Sequence, residues 1–377
     1  MPSSTQSHTH DNPLHTCGFE FVEYTAADAK GISDLKALFS SLGFAEVAKH
    51  RRKAVWLYKQ GDINFIINAE PASQAEEFAK KHGPSVCGMA FRVADANVAI
   101  AHALANGGEQ FVGNLGPMEL NIPAIYGIGQ STLYFVDKFQ GPTIYDIDFN
   151  FYPDWQHTMA QLDAGLYELD HLTHNVKRGN MNVWANFYER LANFREVRYF
   201  DIEGKLTGLV SKAMTSPCGK IRIPINESSD DKSQIEEFIK EYNGEGIQHI
   251  ALATHDIYET VANLKARGLA FMDTPDTYYD KVDSRVLGHG ENTERLRELN
   301  ILIDGAPTKD GILLQIFTDT VIGPVFFEII QRKGNEGFGE GNFQALFESI
   351  EEDQIRRGVI ANDPASDDEK SDEQAHA

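Results

Sequence analysis

Residues 169–176 read Leu-Asp-His-Leu-Thr-His-Asn-Val, and residues 19–22 read Phe-Glu-Phe-Val. Set at a constant offset of 150 positions, the two stretches start an ungapped pairing that carries on to Phe44, Glu46 and Val47 against Phe194, Glu196 and Val197. A second pairing lays Asp95–Gly107 (DANVAIAHALANG) on Asp256–Gly268 (DIYETVANLKARG), with Asp first, Gly last and a helical pattern of equal length between them. A third lays Gly141-Pro142-Thr143-Ile144-Tyr145-Asp146 on Gly323-Pro324-Val325-Phe326-Phe327-Glu328. Three matches in the same order point to a duplicated module. Residues 17–150 form one copy and 167–335 the other, joined by 151–166.

Within each copy the pattern is strand, helix, then several strands. Gly311–Phe317 and Val325–Ile330 are β-branched or aromatic runs bounded by Gly and Pro, as strands are. Asn182–Leu191 and Ser233–Tyr242 have the spacing of amphipathic helices, the second opened by a Ser suited to N-capping. The class is therefore α+β with mixed or antiparallel sheets.

The matched positions differ in chemistry. The second copy holds His171, His249 and Glu328 where the first holds Phe21, Gly88 and Asp146. All three second-copy residues lie inside expected strands, where alternation can aim them at one concave face. Two neutral imidazoles and a carboxylate fill three facial positions of an octahedral ion and leave three open, the arrangement of non-haem Fe(II) oxygenases; zinc would stay nearer four-coordinate. His174 falls at an odd offset from His171, on the other strand face, and reads as structural. His255 and His289 fall in loops.

Composition narrows the partners. The chain has 377 residues, 42% hydrophobic and 24% charged, enough for two cores. Its formal charge of −22 disfavours nucleic acid and anionic membrane, so an anionic substrate needs a local positive group such as a metal. No apolar run has the length of a membrane span, and the polar start lacks the apolar core of a signal peptide. Cys17, Cys87 and Cys218 are too scattered for a disulfide framework, which fits a cytoplasmic, reducing location. Residues 1–16 and the acidic 361–377 are expected to be disordered.

Several stretches of the second copy carry a family likeness: LDHLTHNV, IPINE, KSQIEEF, GIQHIAL, LLQIFT, FFEIIQRKG and GFGEGNFQALFESIE. Over residues 17–358 the chain resembles the 4-hydroxyphenylpyruvate dioxygenase family of the vicinal oxygen chelate superfamily. The resemblance implies two tandem chelate modules of βαβββ units, forming open mixed-sheet half barrels, followed by a C-terminal helix over 336–360. It implies one Fe(II) per chain on His171, His249 and Glu328, and conversion of 4-hydroxyphenylpyruvate and O₂ to homogentisate and CO₂. The substrate's own 2-oxo acid would chelate the metal. By the same resemblance, Gln234, Gln248 and Gln315 form a catalytic polar network that orients the phenol. Ser211, Pro224, Asn226, Phe317, Phe326, Phe338, Asn342, Phe343 and Phe347 line the substrate. A homo-oligomer, dimer or tetramer, is implied as well.

Two alternatives stand beside this. 4-Hydroxymandelate synthase uses the same substrate and metal, but the family pattern there departs at Pro224 and Asn226. A metal-free chelate-fold binding protein would leave Glu328 buried without a partner, at a desolvation cost. After the last ligand strand, glycines around Phe338 lead into Asn342, which stands where an N-cap would. Phe343, Leu346, Phe347 and Ile350 then make one apolar helical stripe, expected to close as a gate.

Overall fold

The computed structural model describes residues 11–203, 208–231 and 233–346. The chain divides into two compact units, one of Met1–Met272 with Leu314–Arg332 and one of Asp273–Leu313 with Lys333–Ala377.

The larger unit opens with β1 (Thr16–Thr25), α1 (Ala29–Ser41), β2 (Ala45–His50), β3 (Val55–Gln60) and β4 (Ile63–Asn68). α2 (Gln74–His82), β5 (Ser85–Val93), α3 (Ala96–Ala105), β6 (Gln110–Phe111), β7 (Ala124–Tyr126) and β8 (Thr132–Val136) follow. The first sheet has the order β6-β7-β8-β5-β1-β4-β3-β2-β9, the last strand being Phe149–Phe151. Residues before 17 already take part in the fold, since Leu14 is buried. The stretch expected to be a linker holds a helix, Trp155–Leu162.

The second sheet repeats this plan. Its strands are β10 (Leu166–Val176), β11 (Arg195–Glu203), β12 (Gly208–Thr215), β13 (Arg222–Ser228), β14 (Gly246–Thr254), β15 (Leu302–Ala306), β16 (Gly311–Phe317) and β17 (Phe326–Lys333). Within the larger unit the order β17-β14-β10-β13-β12-β11 mirrors β8-β5-β1-β4-β3-β2. In both sheets the first strand is antiparallel to one neighbour and parallel to the other. The paired helical motifs fold alike: Asp95 caps α3, and Asp256 caps the helix Ile257–Ala266 through its side chain. Gly107 and Gly268 follow them at φ 87° and 86°, a region open to glycine without strain. The two helices expected from spacing are Met181–Ala192 and Gln234–Glu241, the latter with Ser233 as N-cap.

Register corrects the third sequence pairing. Ala251 faces His171 on one side and Glu328 on the other. In the first sheet Ala90 faces Phe21 and Tyr134. The counterpart of Glu328 is thus Tyr134 on β8. Asp146 lies in a short helix, Ile144–Asp148, where Thr143 and Asp146 form a reciprocal capping box. That local pair of hydrogen bonds favours helix over strand after Gly141-Pro142, whereas Val325-Phe326-Phe327 has no such cap and extends.

The two sheets share an aromatic core. Phe65 stacks on Phe44 at 4.3 Å and meets Tyr24 at 5.0 Å and Phe327 of β17 at 6.0 Å. Phe91 stacks on Phe194 at 5.9 Å.

In the smaller unit, short helices Asp276–Tyr279, Val282–Arg285 and Thr293–Leu299 accompany β15 and the start of β16. Residues 340–346 are helical, so Asn342 lies inside the first turn and is not the N-cap. Its Oδ1 accepts from Tyr278 Oη at 2.6 Å and Arg285 Nη2 at 3.2 Å, while Asp304 Oδ2 accepts from the Gly341 N–H at 2.8 Å. Those side-chain partners tether the turn, which moves the helix start ahead of Asn342. Phe347, Ile350 and the tail after 361 lie outside the described residues.

Phe65 is fully buried and touches four other rings. Phe65→Ala should cost about 3–5 kcal/mol in equilibrium denaturation, whereas Val183→Ala, at an exposed helix position, should shift stability by less than about 0.5 kcal/mol.

Candidate metal centre

Three adjacent strands each contribute one ligand-type side chain. His171 of β10, His249 of β14 and Glu328 of β17 are buried, and their candidate ligand atoms lie within 4.8 Å of one another. Strand register produces this convergence. His171, Ala251 and Glu328 form one row across the sheet, and Thr173, His249 and Phe326 form the next.

The imidazoles are fixed from behind, each by the residue before it. Asp170 Oδ1 accepts from His171 Nδ1 at 2.8 Å, and Gln248 Oε1 accepts from His249 Nδ1 at 3.1 Å. Adjacent residues of a regular strand point to opposite faces, but a register shift between Leu169 and His171 lets Asp170 reach its neighbour. Asp170 is itself clamped by Arg332, whose Nη2 and Nε each donate at 2.7 Å, with Arg222 Nη1 at 3.6 Å. Burial alone would raise the Asp170 pKa. The Arg332 guanidinium and the His171 N–H outweigh it and hold the carboxyl well below its ordinary range. An ionised Asp170 requires the proton on His171 Nδ1, which leaves Nε2 facing the shared centre.

At that centre Glu328 Oε2 lies 3.2 Å from His171 Nε2 and 3.5 Å from His249 Nε2. Burial would lift the Glu328 pKa, but the two imidazoles outweigh it and lower it. Burial likewise opposes charge on His171, yet Glu328 and Asp170 raise its pKa; His249, penalised by burial, is lowered. Glu328 Oε1 is buried and has no hydrogen-bond partner among the described residues. Buried acceptors that converge in this way need a positive charge between them. The donor set fits a divalent metal, with Asp170 and Gln248 already holding the two imidazoles from behind.

The other sequence-derived residues distribute unevenly. Phe326 stacks on His249 at 4.9 Å and Phe317 meets the same ring edge-on at 6.2 Å. Gln315, two residues before Phe317, is buried and its Oε1 has no partner among the described residues. Ser211 and Asn226 are cross-strand partners, Asn226 Nδ2 donates to Asn175 Oδ1 at 3.4 Å, and Pro224 faces Ala213. Gln248 is engaged with His249. Gln234 is exposed at the start of its helix, and the structure does not bring it to this group. Phe338, Asn342 and Phe343 belong to the smaller unit, and Phe347 lies outside the described residues. His174 is buried and bonded through Nε2 to Tyr188 Oη at 2.7 Å; burial pushes its pKa down to about 3, as suits a neutral core residue. His255 stacks on Tyr167, and His289 pairs with Asp283. Sequence reasoning missed Asp170 and Arg332. An acid directly before a ligand histidine was the available signal.

Comparison with known proteins agrees with this geometry. Residues 10–150 match the N-terminal family model of hydroxyphenylpyruvate dioxygenase, and residues 168–286 match the glyoxalase/bleomycin resistance protein/dioxygenase superfamily. The chain is 77% identical over 351 residues to hemolysin VllY of Vibrio vulnificus, covering 93% of this chain and 98% of that one. It is 66% identical over 349 residues to 4-hydroxyphenylpyruvate dioxygenase of Pseudomonas aeruginosa, covering 93% and 97%. A solved triple mutant of 4-hydroxymandelate synthase from Streptomyces coelicolor superposes with a TM-score of 0.75 at 25% identity, covering 90% of this chain and all of that one.

Asp170→Asn keeps the shape and removes the charge behind His171. Its affinity for a divalent metal should fall roughly 10–100-fold in chelator competition, with little change in the far-ultraviolet circular dichroism.

Proposed function

The chain belongs to the 4-hydroxyphenylpyruvate dioxygenase family, and from that premise we propose that it converts 4-hydroxyphenylpyruvate and O₂ to homogentisate and CO₂ with one Fe(II) per chain. The observation that carries the reading is the buried convergence of His171, His249 and Glu328, with a Glu328 oxygen left without a partner among the described residues. Two imidazoles and one carboxylate are the donor set of non-haem Fe(II) oxygenases. The bound metal would supply redox capacity and open positions for the substrate's 2-oxo acid and for O₂.

The protein's own residues then have distinct tasks. Asp170 and Gln248 hold the imidazole tautomers. Phe317 and Phe326 give the substrate ring an apolar surface against His249, and the Oε1 of buried Gln315, without a partner among the described residues, suits acceptance of a hydrogen bond from the phenol. Ser211, Pro224 and Asn226 form the other substrate-facing group. Because the oxo acid is inside the substrate, no separate 2-oxoglutarate is needed. The same reading includes a homo-oligomer, dimer or tetramer, in the cytoplasm; three unpaired cysteines suit a reducing compartment. It also includes a gate formed by the C-terminal helix, with Phe338 and Phe343 closing over substrate to keep water out.

Incubation of Fe(II)-loaded protein with 4-hydroxyphenylpyruvate under air, followed by mass analysis, should yield homogentisate with O₂ uptake equal to CO₂ release. A 4-hydroxymandelate product, or an obligatory need for 2-oxoglutarate, would overturn the assignment. His171→Ala, His249→Ala and Glu328→Ala should each abolish turnover, and elemental analysis should give one metal per chain.

Truncation before Phe338 tests the gate. The shortened chain should still bind metal but consume O₂ slowly and form little homogentisate; a normal rate and yield would show that the helix only packs.

A further inference from the structure

The first sheet has lost the metal ligands but not the hollow. A cavity of about 520 Å³ is lined by residues of β1, β3, β4 and β8, on the face whose Phe21 and Tyr134 stand at the register positions of His171 and Glu328. That volume falls within the roughly 300–1,000 Å³ of small-molecule sites. Phe21, Val55, Ile66, Phe111, Ile122 and Phe149 supply apolar wall.

Its floor is a carboxyl group that the proposed reaction does not use. Glu23 is 5% exposed. Its Oε1 accepts from Asn68 Nδ2 at 2.7 Å and its Oε2 from Tyr134 Oη at 3.1 Å, both neutral donors. Each oxygen retains a second lone pair. Room for this group comes from Gly88, where the second copy has His249: a Cβ there would lie 2.7 Å from Glu23 Oε2. Burial raises the Glu23 pKa, and a hydroxyl can both donate and accept, so it matches the carboxyl in either protonation state.

The mouth is basic. Lys53 is already paired with Glu119 at 2.8 Å and donates to the Asn114 carbonyl at 3.0 Å. Arg52, exposed beside it, makes no ion pair among the described residues and is open to an anion. The covering loop, residues 112–123, has no regular structure. It is tied down by the Leu120 N–H to Asp148 at 3.0 Å and by Asn114 to the Ala72 carbonyl at 3.2 Å.

We propose that this cavity is a second binding site, separate from the metal centre, for a small hydroxy-aromatic carboxylate: hydroxyl on Glu23, ring between the apolar walls, carboxylate at Arg52. The class follows from the order of the lining, with an acceptor at the floor, aromatic surface between and an unpaired guanidinium at the rim.

The test uses the full chain stripped of metal by chelation, titrated calorimetrically with 4-hydroxyphenylacetate. One saturable site per chain is expected, retained in His171→Ala. Arg52→Ala and Glu23→Gln should each weaken it roughly ten-fold, the size of one lost charge-assisted contact. Phenylacetate, without the hydroxyl, and 4-hydroxybenzyl alcohol, without the carboxylate, should bind about ten-fold more weakly than the probe. Turnover of 4-hydroxyphenylpyruvate by Arg52→Ala should stay normal, so a failure here leaves the catalytic reading intact. Absence of saturable binding would overturn the proposal. So would binding unchanged in both variants, or binding lost in Gln315→Leu, which would put the probe in the second sheet. Arg52 is exposed, so its variant keeps the test decisive even if Glu23→Gln fails to fold.

Discussion

The row His171, Ala251, Glu328 across β10, β14 and β17 is the constraint from which the centre is built. It needs an antiparallel pairing on one side of β14 and a parallel pairing on the other, in one register. A slip of one residue in any strand would turn a ligand to the opposite face. Alanine at the middle of the row matters for the same reason, since a long side chain there would occupy the space in which the three ligand atoms meet.

Behind the row stands the Asp170 carboxylate, fully engaged by Arg332 and by the His171 N–H. A buried ion pair of this kind is poor evidence for stability, because desolvation of both charges offsets much of their attraction. Its effect is positional. It fixes which imidazole nitrogen carries the proton and so which one faces the centre. Gln248 does the same for His249 with a neutral amide. Burial opposes charge on both imidazoles; Glu328 and Asp170 outweigh it at His171, whose pKa is raised, whereas at His249 burial prevails and the pKa is lowered.

The two sheets show how one backbone plan supports different chemistry. At the register positions of His171, His249 and Glu328 the first sheet has Phe21, Gly88 and Tyr134. Loss of the histidine side chain at Gly88 opens space, and Glu23 with Tyr134 and Asn68 fills part of it. Asn68 itself stands at the register position of Asn226. The polar lining of one hollow is thus echoed in the other, around a carboxyl in the first sheet and around a candidate metal in the second.

Much of this was legible in the sequence because it depends on local patterns. The duplication, the helices begun by Asp95, Asp256 and Ser233, the strands around His171, His249 and Glu328, and the contrast between the copies all follow from periodicity, caps and offset. Long-range register was not legible. The Gly-Pro match made Asp146 look like the partner of Glu328, and only strand pairing identified Tyr134, because a capping box diverts residues 144–148 into a helix. The clamp of Arg332 on Asp170, 162 positions away, and the engagement of Asn342 with Tyr278 and Arg285 likewise needed the folded chain. Residue type and spacing determine which faces strands and helices present. Which faces meet, and which buried polar atoms find partners, depends on contacts between distant segments that no local pattern encodes.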